Sequence, residues 1–250
     1  MTNIHIIDLN LRFGLADDGP NSWTQRRRAY PELLKAWPAD FYTFQEANDF
    51  QVEELAALLP EYSCIGRREP APEDWQHNII FYRRRISCLQ REHFYLSETP
   101  DVPSQCPGSR WPRQCSLGLF ELEGRRLLLA TTHFDFDPDV QQKSARLIRR
   151  RLARHFGELP MILSGDFNAG FDSEASAVFT ENGGFAHAFA PPADGTHHGF
   201  TGHSKGPAID WILYRGVELL QARRITRTFA GYYPSDHFPL SAVFQVPQDK

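Results

Sequence analysis

Short apolar runs carrying β-branched or aromatic residues recur along the whole chain: Ile4–Leu9, Phe41–Phe44, Asn78–Tyr82, Ile86–Tyr95, Ser116–Leu122, Arg126–Thr132, Met161–Leu163, Ile209–Tyr214, Val217–Thr228 and Pro239–Gln245. Most are bounded by Gly, Pro, Asp or Asn, the punctuation of β-strands. Glu121-Leu122-Glu123-Gly124-Arg125-Arg126 reads as a hairpin turn between two of them. Helical spacing interrupts the strands in a few places. Asp137 is an N-cap with Pro138 at the first helical position, and the helix runs to about Phe156. Val140, Leu147, Ile148, Leu152 and Phe156 form its apolar face; Arg146, Arg149, Arg150, Arg151 and Arg154 cover the rest, which reads as a solvated surface. Asn48 or Asp49 caps a second helix through Leu59, ended by Pro60. Thr24–Trp37 is a third, with a kink expected at Pro31, and Ser173–Thr180 a short fourth. Many strands with few helices between them predict an α/β (α+β) fold of two sheets packed on each other with helices outside. No repeat, low-complexity tract or linker divides the chain, so one domain over residues 1–250 is expected.

Composition narrows the function classes. With 41% hydrophobic and 13% aromatic residues in 250, the chain has ample material for a large core. A formal charge of −4 gives no global basicity, so an anionic substrate would need cations supplied locally, by arginines or a bound metal. No long apolar run and no leader-like N-terminus appear, which predicts a soluble, cytoplasmic protein, with a monomer favoured. Cys64, Cys88, Cys106 and Cys115 lack zinc-like spacing and are expected as reduced thiols.

Polar residues stand at the ends of the suspected strands. Asn10 follows the first run, Gln45-Glu46 the second, Tyr82-Arg83 the next, then come His133, Asp166 with Asn168, and Asp210; Asp236-His237 closes the series. Charges at the tips of buried strands are costly unless they hold a metal or a partner. Hard oxygen donors such as Glu46, Asp166, Asp236 and the Asn10 amide suit Mg²⁺ or Mn²⁺ rather than structural zinc. There is no G-x-S-x-G turn, no P-loop and no G-x-G-x-x-G. Carboxylates, histidines and a hard cation are what attack of water on a phosphate ester requires.

Asp8-Leu9-Asn10-Leu11-Arg12, Phe44-Gln45-Glu46, Thr131-Thr132-His133, Gly165-Asp166-Phe167-Asn168, Ile209-Asp210-Trp211-Ile212 and Ser235-Asp236-His237 resemble, in order, the motifs of the DNase I-like endonuclease/exonuclease/phosphatase superfamily. The resemblance spans nearly the whole chain. It implies a four-layer sandwich of two mixed sheets flanked by helices, with one site at the top. By position, Glu46 resembles the principal metal ligand, with Asn10 assisting and Asp236 nearby. Asp166 and Asn168 resemble the pair that activates water and holds phosphate. His237 resembles the catalytic histidine oriented by Asp210, and His133 a phosphate contact or leaving-group acid. Arg113 resembles a substrate-phosphate contact of bacterial members, and Tyr82 and Arg83 look like substrate contacts of the nucleases. The implied activity is a Mg²⁺- or Mn²⁺-dependent phosphodiesterase, nucleic acid being the first substrate expected because Asn10-Leu11-Arg12 and Tyr82-Arg83 look nuclease-like. Inositol-phosphate or phospholipid headgroups are the alternative, and a catalytically inactive binding module on the same scaffold the rival from another class.

Overall fold

A computed structural model describes residues 2–69, 71–182, 184–190 and 193–248. Twelve strands and five helices are present among them. The strands are β1 (Thr2–Asn10), β2 (Phe41–Ala47), β3 (Tyr62–Ile65), β4 (His77–Arg83), β5 (Ser87–Tyr95), β6 (Gln114–Leu122), β7 (Arg125–His133), β8 (Met161–Asp166), β9 (Ala186–His187), β10 (Asp210–Arg215), β11 (Glu218–Arg224) and β12 (Leu240–Val246). The helices are α1 (Trp23–Arg26), α2 (Tyr30–Ala36), α3 (Asp49–Leu58), α4 (Pro138–Phe156) and α5 (Glu174–Thr180). Two six-stranded sheets result, ordered β11-β12-β1-β2-β4-β3 and β5-β6-β7-β8-β10-β9. The four-layer arrangement expected from the sequence is the one observed. Among the described residues no helix is long and apolar enough to cross a membrane, and all four cysteines are free.

Side-chain alternation builds the layers. Ile7 and Leu9 of β1 join Tyr30, Leu33, Val52 and Leu55 in a cluster beneath α1–α3. Ala145, Ile148, Leu152 and Phe179 of α4 and α5 pack on Leu128, Leu163 and Leu213 of the other sheet. Between the sheets lie Ile4 and Ile6 of β1, Phe41 of β2, Leu127 and Leu129 of β7, Ile162 of β8 and Ile212 of β10. The same inward faces turn polar toward one rim: β1 continues with Asp8 and Asn10, β2 with Thr43 and Gln45, β7 with Thr131 and His133, β8 with Ser164 and Asp166. Thr43 and Ser164 hydroxyls meet across the gap at 2.8 Å, and Gln45 Nε2 donates to Thr131 Oγ1 at 2.8 Å.

Strand direction decides which residues reach that rim. β1 and β2 are parallel, as are β7 and β8, so all four end there. β10 is antiparallel to β8 and sets Asp210 opposite Asp166. β4 and β6 are antiparallel to β2 and β7, so they present their beginnings: His77 lies opposite Ala47, and Cys115 opposite Thr132. Tyr82 instead pairs with Phe41, at the far end of the sheet.

Some local expectations are corrected. The third helix is not one helix kinked at Pro31. It is α1, a 3₁₀ turn over Arg27–Ala29, and α2, with Pro31 in the first turn of α2, where its missing N–H breaks no bond. β2 and β8 run on through Ala47 and Asp166, which places their carboxylates within the strands. The four-residue β3 and the two-residue β9 are too short to announce themselves.

Candidate active site

Asn10 is the bridge between the sheets at the polar rim. Its Nδ2 donates to Asp166 Oδ2 at 2.8 Å and to Glu46 Oε1 at 3.1 Å, while its Oδ1 accepts from the Arg12 amide at 2.8 Å. Glu46 sits where the register of β2 shifts between Phe44 and Ala47, in a left-handed conformation of φ +57°. Its Oε2 accepts from the Phe13 amide at 2.6 Å. Arg12 (φ +63°) and Asn168 (φ +49°) share that unfavourable conformation, so three residues of one small region are held against their preference.

Gly165 lets β8 approach β7. At φ +146° it adopts backbone that L side chains rarely take, and a Cβ there would meet Thr132 O at 2.0 Å. The next register pair is His133 opposite Asp166. His133 Nε2 lies 3.5 Å from Asp166 Oδ2, 3.9 Å from Glu46 Oε1 and 3.2 Å from the Asn168 amide. Its Nδ1 is 2.9 Å from Arg113 Nη1, and a guanidinium can only donate, so Nδ1 accepts and the ring proton is assigned to Nε2, on the side of Asp166 Oδ2; the Asn168 Nδ2 then donates to Phe134 O at 3.0 Å rather than to the ring. Burial, then the Arg113 charge and His237, push the His133 pKa well down, leaving a neutral ring.

His237 has the opposite electrostatics. Burial alone would lower its pKa, but Asp210, whose Oδ2 is 2.8 Å from Nδ1, together with Asp166 and Asp236 raises it well above the ordinary value. Its Nε2 is 3.9 Å from Asp166 Oδ2. Burial, reinforced by Asp210, pushes the Asp166 carboxyl up to about 7. Asp236 lies at the edge of the cluster, 3.7 Å from Arg12 Nε and 3.5 Å from His197 Nε2. Against burial, His197, His237 and Arg12 hold its carboxyl well below the usual range.

The donor chemistry fits a hard divalent cation. Asp166, Asp210, Glu46 and Asp236 stand at one rim, and burial, with repulsion from Asp210 second, makes a bare Asp166 carboxylate costly there. Glu46 and Asp166 oxygens face each other across the Asn10 amide. Asn10 itself is here a donor between carboxylates; presenting its oxygen as a ligand would require the amide to turn and give up the Arg12 contact. Asp166, Asp210 and His237 also place ligand-type atoms within 4.8 Å of one another, although His237 Nδ1 is already taken by Asp210.

The structure therefore gathers Asn10, Glu46, Arg113, His133, Asp166, Asn168, Asp210 and His237, with Asp236 alongside. It does not gather Tyr82 and Arg83. Antiparallel β4 carries them to the opposite end, where Tyr82 packs on Phe120 at 5.0 Å and Arg83 Nε donates to Ala39 O at 3.1 Å. Sequence reasoning missed Arg26, a fully buried guanidinium that donates to Leu11 O at 2.6 Å, Arg12 O at 2.8 Å and Pro234 O at 3.1 Å. It ties the loop after β1 to the loop bearing Asp236 and His237. Nothing in Arg26-Arg27-Arg28 marks the first arginine from its neighbours. Trp75 and Asn78, before and at the start of β4, went unmarked because the polar series followed the ends of strands and not their beginnings.

A two-sheet sandwich with one acid- and histidine-rich rim defines a phosphoesterase-type scaffold. A model of the Endonuclease/Exonuclease/phosphatase family matches residues 9–237, and the chain belongs to that family. The family generally hydrolyses phosphoester bonds and typically uses divalent metals. An endonuclease/exonuclease/phosphatase of Bacteroides vulgatus is 26% identical, with 99% of this chain and 100% of that one covered and a TM-score of 0.91. A mannosyl-6-phosphatase of Bacteroides thetaiotaomicron is 27% identical over 96% of this chain and 99% of its own, with a TM-score of 0.88. An uncharacterized protein of Acanthamoeba polyphaga mimivirus is 29% identical over 58% of the chain, and the match spans 59% of that relative's length.

Proposed function

We propose that this chain is a divalent-metal-dependent hydrolase of phosphate esters whose preferred substrates are small phosphorylated molecules. The observation that carries the reading is the 2.8 Å bond from Asn10 to Asp166 across the two sheets, which brings Glu46 of one sheet to Asp166 and His133 of the other. Glu46, with Asp236 at the edge of the cluster, would hold Mg²⁺ or Mn²⁺, which supplies positive charge at the phosphoryl oxygens. Asp166 takes the proton of the attacking water, with Asn168 positioning it. His237, oriented by Asp210, and His133, oriented by Arg113, hold protons at Nε2 toward the phosphoryl and leaving oxygens.

Size and charge favour a small ester. Several arginines that could track a polyanion are already paired with carboxylates: Arg85 with Asp40, Arg67 with Asp49 and Glu53, Arg151 with Glu92 and Asp101, Arg12 with Asp18. The mannosyl-6-phosphatase relative points the same way. Nucleic acid is the second reading, favoured by Arg12 at the rim beside Asp236; phosphodiester headgroups fall between the two. A panel of sugar phosphates, inositol phosphates, bis-nitrophenyl phosphate, RNA and plasmid DNA, assayed with Mg²⁺, Mn²⁺ or EDTA, tests the proposal. Turnover that survives EDTA, or survives Glu46→Gln unchanged, ends the metal-assisted version. Cleavage of plasmid that weakens steeply with salt would return nucleic acid to first place. No turnover, with no thermal stabilisation by either ion, would leave only a binding module.

A further inference from the structure

Beside His133 and Arg113 a cleft of about 250 Å³ opens between the segment leading into β4 and the loop leading into β6. Its walls carry two indoles. Trp111 is 48% exposed, yet it is pinned: the Arg113 and Arg110 guanidinium carbons lie 5.3 Å and 5.7 Å from its ring, and Phe136 packs edge-on at 6.4 Å. Trp75 is partly buried, with Arg68 at 4.4 Å over its ring and Tyr95 at 6.3 Å. Two indoles on one concave wall give the apolar, aromatic lining that ligand clefts use.

The floor is a chain of amides. Asn78 Nδ2 donates to Gln114 O at 2.8 Å, and Gln114 Nε2 donates to Gln76 O at 3.3 Å. Gln114 is buried, and its Oε1 has no hydrogen-bond partner among the described residues; the same holds for Arg113 Nε and Trp75 Nε1. A buried acceptor and two buried donors left over in one place are a cost that a bound polar molecule, reached with a small side-chain adjustment, would remove. Asp74 adds an exposed carboxylate at the mouth, with no ion pair among the described residues.

We infer that this cleft is the binding site for the ring of a phosphorylated monosaccharide, seated so that its phosphate reaches His133. The inference rests on the phosphoesterase reading above and specifies what leaves. The volume, about 250 Å³, lies just below the usual range of ligand pockets and has room for one ring. Sugar hydroxyls both donate and accept, so they suit a lining of amides plus one carboxylate, while the C–H faces of the ring cover an indole. Asp74 opposes a second phosphate. The reaction is water plus sugar phosphate giving free sugar and inorganic phosphate: a bond forms from the water oxygen to phosphorus, the bond from phosphorus to the sugar oxygen breaks, and that oxygen takes a proton.

Selectivity is the test. kcat/KM is measured for a hexose 6-phosphate, glycerol 3-phosphate and a nucleoside monophosphate, in the wild type and in Trp111→Ala and Asp74→Asn, each confirmed folded by thermal melting. The wild type is expected to prefer the hexose ester, and each variant to shrink that preference about tenfold, mostly through KM. An unchanged ratio, or a wild type that prefers glycerol 3-phosphate or a nucleoside monophosphate, overturns the assignment. A second arm needs no turnover: hexose 6-phosphate titrated into the metal-free protein should change tryptophan fluorescence in the wild type and less in Trp111→Ala. A wild type that hydrolyses nothing but shows this binding would refute the enzymatic reading and keep the cleft; hydrolysis without ring selectivity would do the reverse.

Discussion

Replacing Arg26 with Met is expected to lower turnover far more than stability. The guanidinium touches no reacting group; it makes three hydrogen bonds, to Leu11 O, Arg12 O and Pro234 O, and burial pushes its pKa down without a carboxylate in contact. Methionine keeps the stem packed near Trp23, over which the arginine head lies at 4.9 Å. Two of the carbonyls retain other partners: Pro234 O accepts from Tyr30 Oη at 3.0 Å and Arg12 O from Gln51 Nε2 at 3.2 Å. Only Leu11 O is left without a side-chain donor, a loss of about 1–3 kcal/mol for an orphaned buried group. For a chain of this length that lowers Tm by roughly 2–12 °C. The loops carrying Arg12 and Asp236-His237, however, lose their common tie, and a displacement of about 1 Å in a catalytic group can cost about 100-fold in rate. We therefore expect kcat to fall about 100-fold and the midpoint of Mg²⁺ activation to rise, at a temperature where the variant is fully folded. Arg26→Lys, whose ammonium lacks the planar fork, should fall between. Wild-type kcat and metal midpoint in a folded Arg26→Met protein would refute the argument and leave Arg26 a packing residue.

Three further outcomes are expected. Asp210→Asn removes the charge 2.8 Å from His237 Nδ1 and should reduce kcat by about two or more orders of magnitude with little change in Tm, measured on whichever ester the panel identifies. Arg83→Ala should leave kcat/KM within about twofold of the wild type, since Arg83 contacts Ala39 O at the far end of the sheet; a large loss would contradict the register of β4. His93, facing Tyr95, is held down to about 4 by burial first, with His77 and Arg68 nearby adding to the shift. The unfolded chain protonates it first, near its ordinary value of about 6.5. Stability is thus full above that value and is lost as pH falls toward 4. His187 and His198, also held near 4, act in the same window, so the measurement is the difference in urea midpoint between pH 7 and pH 5 for wild type and His93→Phe, expected smaller in the variant.

Much of the architecture could be read from residues, because buried strands must be apolar and their boundaries must turn. The α4 cap is a case: Asp137 accepts from the Asp139 and Val140 amides at 3.0 and 3.1 Å, the role its position before Pro138 implied. Asn10, Glu46, His133, Asp166, Asn168, Asp210 and His237 were legible because each is a polar group out of keeping with the run beside it. What failed was direction. Tyr82-Arg83 looks like any other polar pair closing a strand, and only pairing with β2 reveals that β4 runs the other way. The same oversight hid the start of β4, Asn78 included, since an antiparallel strand offers its first residues to the rim. Arg26 was invisible for a different reason: its partners are backbone carbonyls from positions 11, 12 and 234, and no side chain records them.

Gly165 lends the site a fragility of its own. The strand pair that sets His133 against Asp166 closes over a missing side chain, with Thr132 O where a methyl group would stand. An alanine there would pry β7 from β8 one residue short of both groups, while the apolar layers farther down the strands could stay in register. Drift at this codon would then silence the chemistry before it unfolds the chain, yielding a silent, well-folded descendant whose acids and histidines are all still in place.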